Sequence, residues 1–224
     1  VTTPPEGWRL PSVTAPEGWL RVDCHLHTAF SGDAVTTIAE LGTRAVAEGI
    51  DVLCVTDHHT LDGAYVAHQE MAGVRIIIGE EIRTHAGEII GLFLTERVPY
   101  VLPLADAVRR VKDQGGIVYA PHPFDPNRRG LGRSGMDELC AAGALDVVEV
   151  CNAKVVDEQD NQRAMHYAAA RELAMAAGSD AHDQAGIGGA YLLMPDFDGP
   201  ADFLRKLADA RITGEYRPHD PLAR

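Results

Sequence analysis

The feature that most limits how this chain can fold is a regular alternation of apolar, strand-like runs with segments whose apolar residues recur at helical spacing. Seven strand-like runs are legible: "LRVDCHLHT", "DVLCVTDHH", "VRIIIGEEI", "EIIGLFLT", "GIVYAPHPF", "LDVVEVCNA" and "AMAAGSDAH". The helical segments between them include "TIAELGTRAVAEG", "LADAVRRVKDQGG", "MDELCAAG" and "DNQRAMHYAAARELA", and several end at a glycine able to stop a helix. Alternation of this kind means parallel strands joined by crossover helices, an α/β fold. Only the link between "GEEI" and "EIIG" is too short for a helix, so those two runs are expected to form a hairpin. No inter-domain linker interrupts the pattern. The expected organisation is an N-terminal extension over 1–19, carrying the turn "PEGW" at Pro5–Trp8 and again at Pro16–Trp19, then one unit over 20–224. The repeated turn is expected to pack its two Trp rings against the wall of that unit.

Polar residues concentrate near the C-terminal ends of these runs. In "RVDCHLHTAFSGD" strand alternation puts Asp23, His25 and His27 on one face, so two imidazoles converge on one point. Asp57 and His58, Glu80 and Glu81, His122, Glu149 and Asn152, then Asp180 and His182 fall at the corresponding end of later strands. In (β/α) barrels that end is where loops meet and chemistry occurs. Burying so many imidazoles and carboxylates together costs several kcal/mol per charged group unless cations pair with them, and metal ions are the simplest compensation. Imidazole and carboxylate without cysteine suit Zn, Mn or Fe, and the number of donors suggests two or three divalent ions.

Composition narrows the function further. A formal net charge of −13 argues against a general grip on long nucleic acid, which depends on Lys and Arg neutralising phosphates. Cys24, Cys54, Cys140 and Cys151 are widely spaced without a CxxC pair, as expected of free thiols in a reducing compartment. No apolar run approaches the ~20 residues of a membrane span, and "VTTPPEGWRLP" has neither a basic start nor an apolar stretch, so a soluble, cytoplasmic protein is expected. The sequence does not specify an oligomeric state.

Taken in order, "DCHLHT", "TDHHTLDG", "GEEI", "APHPF" and "GSDAH" resemble the motifs of the polymerase and histidinol phosphatase (PHP) family of metal-dependent phosphoesterases, over roughly Leu20 to Gly214. The resemblance implies a distorted seven-stranded (β/α) barrel, so that 20–224 would be a single PHP-type catalytic barrel. A trinuclear metal centre would lie at its C-terminal end. His25, His27 and Asp180 would hold one ion, Glu81 would bridge to a second served by His122, and Asp33, His58 and His182 would surround a third. Glu88 stands where many members have a histidine. It would either serve the second ion as a carboxylate or leave that site weaker or shifted.

The implied reaction is attack on phosphorus by a hydroxide bridging the ions, with His182 or His59 positioning a proton for the leaving group. By alternation His59 should face away from His58. Asp23, Asp57 and Asn152 read as residues behind the ligands, the two aspartates orienting imidazoles. The loop from His122 to Gly135 carries Arg128, Arg129 and Arg133, whose guanidinium groups, with Arg83, suit the oxygens of a substrate phosphate. The expected substrate is a small phosphomonoester of nucleotide or sugar-phosphate type. The alternatives are a phosphodiesterase or 5′-exonuclease acting on short oligonucleotides or cyclic nucleotides, an amidohydrolase, and a non-catalytic PHP scaffold.

Overall fold

The computed structural model describes residues 9–10 and 14–217. Its nine strands are β1 (Trp19–Leu26), β2 (Val52–Val55), β3 (Arg75–Arg83), β4 (Glu88–Leu92), β5 (Ile117–Ala120), β6 (Val147–Asn152), β7 (Ala174–Gly178), β8 (Ala190–Pro195) and β9 (Arg211–Gly214). Six α-helices accompany them: α1 (Ile38–Glu48), α2 (Asp62–Glu70), α3 (Leu104–Asp113), α4 (Gly132–Ala141), α5 (Glu158–Ala169) and α6 (Gly199–Lys206). One sheet runs in the order β7-β6-β5-β4-β3-β2-β1-β8-β9. The pairs β1–β2, β2–β3, β5–β6 and β6–β7 are parallel. The expected hairpin is present, and it makes β4 antiparallel to both β3 and β5.

The sheet closes on itself at one end only. Beyond β7 the chain pairs with the end of β1: the Asp180 N–H donates to the His25 carbonyl at 2.7 Å, and the His27 N–H to the Ala181 carbonyl at 2.9 Å. Towards the other end, Trp19–Val22 of β1 pairs with β8 instead. The seven sequence-predicted strands therefore form the barrel-like α/β fold, and β8 and β9 are additions. The sequence "PADFLRKLADARIT" near the C-terminal end is not one continuous element. It divides into α6, a short 3-10 turn and β9, because "RIT" finds an open edge on β8.

Burial explains the layers. One cluster, including Cys24, Cys54, Ile90, Tyr119, Val147 and Phe203, lies inside the sheet. Leu41, Ala45 and Ala64 of α1 and α2 pack on Leu26, Leu53 and Val55, while α3, α4 and α5 cover Val118, Val148 and Val150. β2, β5 and β6 thus show apolar side chains on both faces, as strands under helices must. Helix α1 starts at a reciprocal Thr37–Glu40 capping box and stops at Gly49, which takes φ +66°. The four cysteines are free thiols. The first "PEGW" copy lies outside the described residues; in the second, Trp19 begins β1 and its ring carries Arg211 at 5.0 Å. Among the described residues no helix is long and apolar enough to cross a membrane.

Candidate metal centre

The closed end of the barrel gathers the imidazoles and carboxylates. His25 and His27 leave β1, where a register irregularity between Asp23 and Leu26 interrupts strict alternation: Cys24 packs inside the barrel and Leu26 outside, yet both histidines face inward. Their Nε2 atoms lie 3.1 Å apart. Oε2 of Glu81 on β3 lies 3.3 Å from the first, 3.2 Å from the second and 3.4 Å from His58 Nδ1. Glu81 Oε1 meets His122 Nε2 at 3.1 Å. Oδ1 of Asp180 is 3.5 Å from His27 Nε2 and 3.4 Å from His182 Nδ1. Asp33 Oδ2 spans His58 (3.3 Å) and His182 (3.6 Å). His59, His122 and Asp180 adopt φ of +59°, +27° and +50°, a left-handed backbone that costs energy in a non-glycine residue and is found where side chains are re-aimed at functional sites.

These groups fit divalent cations. The His25 Nδ1–H faces Glu149 Oε1 at 3.0 Å and the His27 Nδ1–H faces Ser31 Oγ at 3.0 Å, so both Nε2 lone pairs point into the same small space. Two lone pairs 3.1 Å apart repel unless a cation or proton lies between them. Asp180 Oδ1 is buried and accepts no hydrogen bond. Four triads have donor atoms within 4.8 Å of one another: His27, His58 and His182; His25, His122 and Asp180; His25, His27 and Glu81; and Glu81, Glu88 and His122. Without an ion, protons take up the electrostatic demand. Burial pushes His25 down, but Asp180, Glu149 and Glu81 overcome it and hold the imidazole well above its ordinary value. His58, opposed by burial but paired with Asp33, is raised to about 9. Burial and the neighbouring Glu81 charge raise Glu88.

A profile of the PHP domain matches residues 23–179, and one of a PHP-associated region matches 158–212. The chain belongs to the PHP domain family. An uncharacterized protein of Methanocaldococcus jannaschii is 36% identical over 197 residues, covering 84% of this chain and 79% of that one. The fold is similar to that of a two-domain Bacteroides vulgatus protein described as containing a predicted PHP-like metal-dependent phosphoesterase (TM-score 0.67, 19% identity, 88% of this chain and 64% of that one). It is also similar to PsfC of Pseudomonas syringae (TM-score 0.64, 21% identity, 91% of this chain and 93% of that one).

Around the PHP centre the structure opens a cavity of about 780 Å³. Its wall includes Asp33, His58, Glu81, Glu88, His122, Asp180 and His182, with His25 and His27 buried behind them. Arg83, Arg128 and Arg129 also border it. Arg133 does not: it sits on α4 with its side chain 72% exposed, 3.6 Å from Asp137, because the helix begins at Gly132 and turns it outward. Arg128 is tied to Asp180 Oδ2, which also accepts from Asn152 Nδ2 at 3.1 Å. Arg83 and Arg129 have no ion pair among the described residues.

His59 does not turn away from the cavity. β2 ends at Val55, and the left-handed turn at His59 swings its ring onto the wall, stacked on Tyr100 with centroids 4.4 Å apart. Burial and the His58 charge lower it to about 4, so its ring is neutral at pH 7.

The two aspartates expected behind the ligands touch backbone and hydroxyl groups rather than imidazole nitrogens. Asp23 accepts from the backbone N–H groups of Ser179 (2.9 Å) and His25 (3.3 Å). Asp57 reaches His27 and His58 only through Ser31, whose hydroxyl donates to Asp57 at 2.9 Å and accepts from the His58 N–H at 2.9 Å. The carboxylate in contact with an imidazole on its far side is Glu149, which also accepts from Tyr119 OH, Asn152 Nδ2 and the His122 N–H. Ser31 carried no sequence signal of its own. Lys154 on the wall of the cavity brings Nζ to 2.7 Å from His182 Nδ1.

Proposed function

We propose that this PHP chain is a metal-dependent phosphoesterase that hydrolyses a small phosphomonoester. The observation that carries the reading is the facing pair of His25 and His27 Nε2 atoms beside Asp180 Oδ1, which accepts no hydrogen bond, at the floor of a cavity edged by Arg83 and Arg129. His25, His27 and Asp180 would hold one divalent ion, Glu81, Glu88 and His122 a second, and Asp33, His58 and His182 a third. Such ions, whether Zn, Mn or Fe, supply Lewis acidity towards phosphoryl oxygens and an activated water at neutral pH.

The chain's own residues provide orientation and proton handling. Arg83 and Arg129 are the cavity-lining guanidinium groups left for anionic oxygens, since Arg128 is engaged by Asp180 and Arg217 by Glu48 and Glu215. Lys154, which lines the cavity and is positioned with Nζ 2.7 Å from His182 Nδ1, is the ammonium group that would supply a proton directly to a leaving oxygen. His59, neutral and stacked, does not suit proton donation. A cavity of about 780 Å³ accommodates a nucleotide or sugar phosphate and is too small to follow a long strand.

The test compares phosphomonoester and phosphodiester panels with Mn- or Zn-loaded protein, with His27→Asn as the control. Monoester turnover that disappears in His27→Asn, with an unchanged circular dichroism spectrum, supports the reading. Turnover of diesters alone would replace it with the exonuclease-type alternative. Wild-type activity in His27→Asn would remove the metal centre from the mechanism.

A further inference from the structure

Two of the large hydrophobic side chains left exposed, Val46 and Met165, lie on α1 and α5. Of the others among the described residues, Phe30, Val35, Tyr100, Val101 and Val156, the last lines the cavity itself and the rest lie next to residues of its wall or are bonded to them through the backbone or a ring contact. Phe30 precedes the lining residue Ser31. The Val35 N–H donates to the His182 carbonyl at 2.8 Å, and the Val101 N–H to the Arg83 carbonyl at 2.6 Å. Single exposed apolar residues are ordinary on a protein surface, so an ordered pair beside the cavity is the more informative feature.

The most ordered part of this rim is a pair of rings. His59 and Tyr100 stack with an interplanar angle of 19°, and Tyr100 is 49% exposed. The arrangement is built against local backbone preference on both sides: His59 takes φ +59° and the β-branched Val101, next to Tyr100, also takes φ +59°. A β-branched residue there is a genuine outlier and costs on the order of 1–3 kcal/mol. The segment carrying Tyr100 is anchored by buried Glu80, whose Oε2 accepts the Val98 N–H at 2.8 Å, and the Arg97 guanidinium lies 5.6 Å from the Tyr100 ring centre. The fold thus holds His59 on the cavity wall with the exposed Tyr100 ring stacked on it, both in strained, anchored backbone.

We propose that the His59–Tyr100 stack is a platform for a planar ring in the leaving group, making the substrate a nucleoside-type or aryl-alcohol phosphoester rather than an open-chain polyol phosphate. This rests on the phosphoesterase reading above. The scissile phosphate would lie over the imidazole–carboxylate floor, and the ring it is attached to would face the aromatic side of the mouth.

The test is the ratio of kcat/KM for benzyl phosphate to that for glycerol 3-phosphate, measured on metal-loaded protein. The ratio should favour the benzyl ester, fall by about tenfold in Tyr100→Ala through KM, and persist in Tyr100→Phe. A ratio unchanged in Tyr100→Ala, or lost equally in Tyr100→Phe, overturns the platform. If neither ester is turned over, the phosphoesterase reading has failed, and binding then decides the platform separately. Benzylphosphonate and methylphosphonate would be titrated calorimetrically into the metal-loaded protein, where tighter binding of the benzyl compound that Tyr100→Ala abolishes supports it and equal affinities overturn it.

Discussion

His25 and Glu149 form a fully buried contact between β1 and β6, with Nδ1 and Oε1 3.0 Å apart. This contact fixes the imidazole tautomer: Nδ1 carries the proton and Nε2 is left as the donor atom facing the cavity floor. Replacing the carboxylate by an amide puts an N–H or a weaker acceptor against that proton. Glu149→Gln is therefore expected to lower divalent-metal affinity about 10- to 100-fold while leaving the fold intact. Calorimetric titration of the metal-free protein with Mn or Zn measures this, and unchanged affinity would show that Glu149 serves packing alone.

Gly178 ends β7 directly behind the same histidine. A methyl group there would lie 2.4 Å from His25 Cβ and 2.8 Å from Glu149 Oε1, and both neighbours are locked in the sheet and its buried hydrogen bonds. Gly178→Ala is expected to cost about 2–3 kcal/mol of stability, the upper part of the range for overpacking, and to reduce metal affinity by displacing His25. Denaturant unfolding and the same titration would report both effects. A variant with wild-type stability and metal binding would mean that β1 and β7 can separate at no cost.

The seven barrel strands and most of the centre were legible because each needs only local information. The runs announce strands by composition, and "HLH", "DHH", "GEEI" and "SDAH" place polar residues at strand ends. What escaped was the geometry after each strand ends. Alternation put His59 away from the cavity, but β2 stops at Val55 and a left-handed residue resets the direction. Asp57 was expected behind the ligands, but Ser31, placed by the turn after β1, was not expected to lie between it and the imidazoles. Arg133 looked equivalent to Arg128 and Arg129 until the start of α4 turned it outward. β9 is a four-residue edge strand decided by the partner it finds, whereas β8, a six-residue apolar run between β1 and β9, falls after the last strand that carries a polar motif and so had no such signal to mark it.

Arg128 is the guanidinium in direct contact with a candidate ligand. Burial would raise Asp180, but Arg128, Lys154 and His25 together hold its carboxyl well below the usual carboxylate range. In metal-free protein, Arg128→Ala removes the nearest compensation for a buried charge, with an expected loss of about 2–3 kcal/mol for this partly exposed arginine. A bound divalent ion restores that compensation from the other side of the carboxylate, so the loss should shrink in metal-loaded protein. Unfolding with and without chelator distinguishes the two states. An equal loss in both would show that Arg128 contributes only by packing.

Glu80 gives the metal-free protein a pH dependence of identifiable origin. Its carboxyl is raised from 4.5 to about 7 by burial, against the opposing effects of the Val98 N–H and Arg97. The folded state therefore keeps a proton that the unfolded chain releases at lower pH. Stability from this group is fully present below about 4.5, declines as pH rises from there towards about 7, and is level above that. Glu80→Gln removes the titration while retaining an oxygen for the Val98 N–H, so the stability difference between variant and wild type should shift in favour of the variant between pH 4 and pH 8, by on the order of 2–3 kcal/mol at most. Taking the difference between the two proteins cancels the titrations they share, including those of the histidine cluster. A difference that stays flat across the range would mean that Glu80 ionises as readily in the folded protein as in the unfolded chain.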